Sequence, residues 1–201
     1  MIEKVYPVAF EVAGRHAMFT RPDTGAAPIS YPAPTRTALK GMFESVAFSR
    51  DAYFEPEWVE ICSPVVFQRY TTNYRGPFRK SGTVAFQDFS TILCDVCYKV
   101  YGNVIGLSPP TSSENPAHKL QEIFLRRLQK GQFYTTPFLG LKEFVPTYFG
   151  PLREETFADE TINTQIASML VGMYTSKISG KVSPQFAHDL RIRMGVLHFD
   201  E

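Results

Sequence analysis

The chain has 201 residues, enough for one domain with at most a small appendage. Its 21 Lys and Arg against 20 Asp and Glu leave a formal charge of +1, so bulk charge marks neither a nucleic-acid nor a membrane partner. An apolar content of 44% with 20% charged residues excludes extensive disorder, and no apolar run approaches the ~20 residues of a membrane-spanning helix. The first residues lack the basic, apolar and small-residue succession of a secretory signal, so a cytoplasmic protein is the expectation.

In chain order, residues 4–12 read as an opening strand in which Pro7 suits an edge or a bulge. A loop is expected from 14 to 34, with Phe19 and Tyr31 anchoring it. Thr35 or Thr37 then caps a helix to about Phe48, whose Ala38, Leu39, Met42, Phe43 and Val46 fall on one stripe. Residues 58–70 and 90–101 read as strands. The pair Asn115-Pro116 opens a second helix with buried face Leu120, Ile123, Phe124 and Leu128, and Gly131 stops it. A short strand through Phe144, an acidic solvated loop over 153–160 and a tail closing on Phe199 complete the chain. The order strand, helix, strand, strand, helix, strand predicts an α+β fold with the ferredoxin-like pattern that also underlies the RRM-like RNA-binding module.

Charge distribution says more than charge total. From 61 to 87 there is no acidic residue, while Arg69, Arg75, Arg79 and Lys80 alternate with Phe67, Tyr70, Tyr74, Phe78 and Phe86. A hairpin so composed offers guanidinium groups to phosphates and aromatic faces to bases. The bland alternative is a surface hairpin whose aromatics pack inward. On the second helix Lys119, Arg126 and Lys130 share one side, and His118 with Lys119 occupies the first turn, where free N–H groups favour a phosphate. A His beside a Lys suits metal-independent RNA cleavage, the first moving a proton and the second stabilising charge on the scissile phosphate.

Other chemistries find little support. Cys94 and Cys97 form a C-x-x-C, but the pair lies in strand-like sequence, without the second ligand pair that zinc requires, and reads as structural. The four histidines are scattered, no Walker loop or nucleophile elbow is present, and Asp88 and Asp95 are expected in a turn and on a strand respectively. No metal or cofactor is expected.

Several segments together resemble a known family. Gly14-Arg15-His16-Ala17-Met18-Phe19-Thr20-Arg21-Pro22 and the run from Ile29 to Glu44 are similar to the amino-terminal pattern of the CRISPR-associated RAMP proteins of the fifth Cas family, type I-C (Dvulg) branch. Asn115-Pro116-Ala117-His118-Lys119, Phe124-Leu125-Arg126-Arg127, the run from Pro137 to Phe144, and Pro184-Gln185-Phe186 with Gly195-Val196-Leu197 follow in the same order. The resemblance implies a RAMP ferredoxin-like domain over 1–144, with a β-hairpin thumb at about 61–87, and a smaller C-terminal β region over 145–201. It implies a subunit of a type I CRISPR surveillance complex, the Cascade, that holds the 5′ handle of the crRNA. The implied neighbours are the seventh-family backbone RAMP subunit and the large PAM-reading subunit, with target DNA met indirectly and no membrane.

That branch also cuts precursor crRNA, commonly with a Tyr, Lys and His set. Carried over residue by residue, the lysine is Lys119, the tyrosine position falls at Ala47 and the histidine position at Leu120, with His118 on the lysine's other side. Two readings therefore stand: an RNA-binding subunit that also cuts the precursor, and a purely structural handle-binder.

Overall fold

The computed structural model describes residues 5–74, 86–108, 115–174 and 182–199. Strand β1 (Pro7–Ala17) leads to helix α1 (Arg36–Val46), and then to β2 (Ala52–Ile61), β3 (Val66–Tyr74) and the long β4 (Phe86–Gly106). Helix α2 (Pro116–Gln129), β5 (Tyr148–Gly150), β6 (Thr164–Tyr174), β7 (Val182–Arg193) and β8 (Val196–His198) follow. The strands form one sheet in the order β5-β1-β4-β2-β8-β7-β6, with β3 paired to β4, and every pairing is antiparallel.

Both helices form where their caps and stripes predict. The Thr35 hydroxyl accepts from the Ala38 N–H at 3.2 Å, and the Asn115 side-chain oxygen accepts from the His118 N–H at 3.2 Å with Pro116 in the first turn. Leu39, Met42, Phe43 and Val46 of α1 and Leu120, Phe124 and Leu128 of α2 are buried. Aromatic residues knit helices to sheet: Phe43 meets Phe10 edge-on at 4.7 Å and stacks on Phe54 at 5.2 Å, and Phe124 lies 5.3 Å from Phe54. Such pairs contribute about 0.5–1.5 kcal/mol each beyond the area they bury. Arg127 donates to the Val46 carbonyl at 3.0 Å, tying the second helix to the carbonyl end of the first.

Several segments differ from the sequence expectations, each for a local reason. Strand β1 runs on to Ala17, so His16 is paired with Cys94 rather than lying in a loop. The expected strand over 58–70 is two strands, because the chain leaves the ladder at Cys62-Ser63-Pro64, where proline has no N–H to give. Residues 137–144 form turns instead of a strand. Leu139 donates to the Phe144 carbonyl, and Gly140 has φ +89 with the Met18 carbonyl oxygen 1.8 Å from where a Cβ would stand, so only glycine fits. Asp88, expected in a turn, lies within β4 opposite Thr72.

The acidic stretch at 153–160 also differs, being anchored rather than free. Glu11 on the inner strand β1 is fully buried, on the sheet face away from the helices. Arg153 gives it a backbone N–H at 2.7 Å and a guanidinium Nε at 2.8 Å, and Thr156 adds its hydroxyl at 2.9 Å. Lys99 donates to the carbonyls of Arg153 and Thr156. A buried carboxylate needs such donors. Burial pushes the Glu11 carboxyl up, and the Arg153 hydrogen bonds outweigh it, holding the group below the usual carboxylate range.

Cys62, Cys94 and Cys97 are free thiols. Cys94 meets the Gln68 side chain at 2.9 Å, whereas Cys97 meets Glu11 at 3.5 Å, so the C-x-x-C pair addresses two different environments. No helix among the described residues is long and apolar enough to cross a membrane.

Candidate nucleic-acid interface

Two features in the described structure carry exposed cations beside aromatic rings or a helix start. The first is the β3–β4 hairpin, whose register pairs Phe67 with Leu93, Arg69 with Thr91 and Thr71 with Phe89. Alternation puts Phe67, Arg69 and Phe89 on one face. All three are exposed, and the Arg69 guanidinium lies 3.9 Å from the centre of the Phe89 ring. The cation thus rests over an aromatic platform at an exposed face, where it can meet an anion.

The opposite face of the hairpin carries Tyr70, which is half-buried. Its ring meets Phe144 edge-on at 5.5 Å and His16 at 6.2 Å, anchoring the base of the hairpin to the body. Tyr74 ends β3 opposite Phe86. Arg75, Phe78, Arg79 and Lys80, the remaining predicted contacts on this segment, lie outside the described residues. Sequence spacing does not single out Phe89; only cross-strand register shows that it underlies Arg69.

The second feature is α2. His118, Lys119, Arg126 and Lys130 are exposed, and helical spacing sets Lys119, Arg126 and Lys130 on one side. His118 Nε2 stands 3.7 Å from Glu122 Oε1, and its ring lies 5.9 Å from Tyr6. The Tyr6 hydroxyl accepts from the Asn115 side-chain amide at 2.6 Å, the same residue that caps the helix. A phenol and an imidazole therefore meet at one helix start, with Lys119 the next residue along the helix, and Tyr6 is a member of that group that sequence spacing does not suggest.

The positions that the resemblance assigns to the other two cleavage groups lead elsewhere. Ala47 is wholly buried at the end of α1, and Leu120 is 2% exposed within the core. Neither presents a side chain at the surface in this chain. Among the described residues no three His, Cys, Asp or Glu side chains gather so as to hold a metal ion.

An antiparallel sheet covered on one face by two helices, with a hairpin that carries an arginine on an exposed ring, defines a mixed α+β protein whose surface chemistry suits single-stranded nucleic acid. Similarity to known proteins makes the lineage specific. Residues 8–193 match the family described as CRISPR-associated protein (Cas_Cas5), in its Cas5d form, and the chain belongs to that family. It is 32% identical over 166 residues to the CRISPR pre-crRNA endoribonuclease Cas5d of Thermus thermophilus, covering 80% of this chain and 70% of that one. It is 24% identical over 188 residues to the protein of the same name from Mannheimia succiniciproducens, covering 81% and 83%. Among solved structures, one described as the crystal structure of a CRISPR-associated protein superposes with a TM-score of 0.72 at 20% identity, over 96% of this chain and 91% of that one, which shows a shared fold.

Proposed function

We propose that this chain is the crRNA-binding subunit of a type I CRISPR surveillance complex and holds the 5′ handle of the guide along the β3–β4 hairpin and the basic side of α2. The observation that carries the reading is Arg69 seated on Phe89 at an exposed hairpin face, in a chain whose relatives are named for pre-crRNA. Arg69, Arg75, Arg79 and Lys80 take phosphates, and Tyr74 and Phe78 stack on bases; Arg126 and Lys130 add phosphate contacts from the helix. A ferredoxin-like core over 1–144 is supported by the order β1-β4-β2 with both helices on one face, its outer edge completed by β5 just past that boundary, and a smaller β region in the rest of 145–201 by the contiguous run β8-β7-β6. The seventh-family backbone RAMP and the large PAM-reading subunit are its proposed neighbours.

The test is the affinity for a CRISPR-repeat hairpin RNA as a function of salt. Replacing Arg75 and Arg79 together by alanine is expected to weaken binding and flatten the slope of log K against log[salt] by about two, at ~0.7–0.9 per phosphate contact. An unchanged slope removes the hairpin from the interface.

A second reading is favoured by the contact of Tyr6 with His118 at a helix start whose next residue is the exposed Lys119. In it the subunit also cuts the precursor: His118 moves the proton, and Lys119 with the helix N–H groups stabilises the charge on the scissile phosphate. Because these groups need no ion, cutting at one site is expected to persist in EDTA and to be lost in Lys119→Ala. RNA binding without any cutting leaves the handle-holding reading alone.

A further inference from the structure

A cleft of about 700 Å3 opens between α1 and the β6–β7 hairpin, away from the two features described above. Helical spacing presents Lys40, Gly41 and Glu44 to it as one stripe, Phe48 lines it just beyond the helix end, and Tyr53 and Leu107 also line it. Gly41 sits inside the helix, where glycine costs about 1 kcal/mol against alanine. Nothing crowds it: a Cβ built there meets no atom within 4 Å. The glycine thus satisfies no packing need within the described structure, and it leaves flat, open space above the helix backbone.

The chemistry around that space is specific. Glu44 is two-thirds buried, and among the described residues no hydrogen bond reaches its carboxylate; its one partner is the Lys40 ammonium at 3.8 Å. Burial raises the Glu44 carboxyl above its ordinary value against the pull of Lys40, as befits an acceptor pair short of donors. Lys40 in turn lies 5.3 Å over the Tyr53 ring. Phe48 is 53% exposed and stacks on Tyr134 at 6.1 Å, so a ring platform stands at the end of the stripe.

We propose that this cleft takes an unpaired guanine of the bound RNA, read by Glu44 and Lys40. Guanine is the RNA base that sets two adjacent N–H donors beside a carbonyl. The two Glu44 oxygens accept N1–H and N2–H, and Lys40 donates to O6. Phe48 supplies a stacking face, and the missing side chain at Gly41 supplies the room. Adenine and uracil offer no such donor pair. The inference rests on the RNA-binding reading above.

The test is calorimetric titration of the full chain with guanosine, inosine and adenosine 5′-monophosphates, beside anisotropy with a repeat-hairpin RNA. Inosine lacks only the N2 amine, and losing one hydrogen bond to a charged acceptor is expected to weaken binding about tenfold or more. Adenosine monophosphate is expected to bind weakest. Glu44→Gln should remove the preference for guanosine over inosine monophosphate. Gly41→Leu should abolish nucleotide binding while leaving the melting temperature unchanged or raised. Equal affinity for guanosine and inosine monophosphates, or guanosine monophosphate binding that survives Gly41→Leu, overturns the proposal. If hairpin RNA still binds with steep salt dependence in that case, only the guanine site falls and the cleft is left to a protein segment. If hairpin RNA does not bind either, the RNA-binding reading falls with it.

Discussion

Arg69 and Arg153 are the same residue type in opposite employment. Arg153 is spent on the fold itself, where its guanidinium and its backbone N–H both serve the buried Glu11 carboxylate. Arg69 lies on an exposed ring and forms no ion pair with a carboxylate among the described residues, so its positive charge is available to something outside. A count of basic residues treats the two alike and arrives at near neutrality. What separates structural from functional charge is the neighbour each side chain meets, and that is fixed by which strands lie side by side.

The contrast can be broken first on the buried side, where the largest effect is expected. Arg153→Ala leaves the Glu11 carboxylate without its main partner and should cost about 3 kcal/mol in urea unfolding, while RNA affinity measured below the transition stays as it was. A loss under about 1 kcal/mol would show that the 151–157 segment is not an anchor. The same pair sets an acid limit. Because the folded Glu11 pKa is lowered from its ordinary 4.5, the stability it contributes is complete above about pH 4.5 and is lost as pH falls through the lower folded value. Acid titration of the wild type against Glu11→Gln should therefore show the gap between them closing in that window, and a constant gap would contradict the assignment.

Next in size is Leu120→His, which installs the imidazole that the family resemblance would place there. Since Leu120 is buried between α2 and the sheet, this change is expected to cost about 2 kcal/mol or more, from lost apolar burial and a buried polar ring, without creating or enhancing cleavage. A stable variant with faster cutting would mean that the first turn of α2 rearranges. The smallest expected change in stability is that of Arg69→Ala, within about 1 kcal/mol, the scale of an exposed cation–π contact. Its effect should appear instead in RNA binding, with a salt slope shallower by ~0.7–0.9. Equal effects on folding and binding would erase the distinction between the two arginines.

The helices were legible because their information is local: a cap, a 3.6-residue stripe and, for α2, a stop glycine follow closely along the chain. The strands were less so. A single proline, Pro64, divides what reads as one apolar stretch, and the need for glycine at 140 depends on Met18, which sequence distance hides. The β6–β7 pair escaped individual notice because its apolar and polar residues alternate poorly. For the interface, the acid-free composition of 61–87 was visible at once. Which aromatic underlies which arginine was not, because that follows from the register of Arg69 opposite Thr91. Tyr6 beside His118 likewise joins the two ends of the α/β unit, and no spacing rule connects them.

The length of β4 has a consequence in time. Its residues pair with β3, β2 and β1, and the register that sets Pro7 against Asn103 joins the first element to the middle of the chain. On a ribosome β1 therefore emerges with an apolar, unsatisfied edge long before its partner exists, whereas β3 and β4 can zip locally as soon as both are out. The exposed hairpin forms early and the central pairing late. The interval between the two is when the nascent chain is most prone to aggregate, and slowing synthesis after β3 would lengthen it.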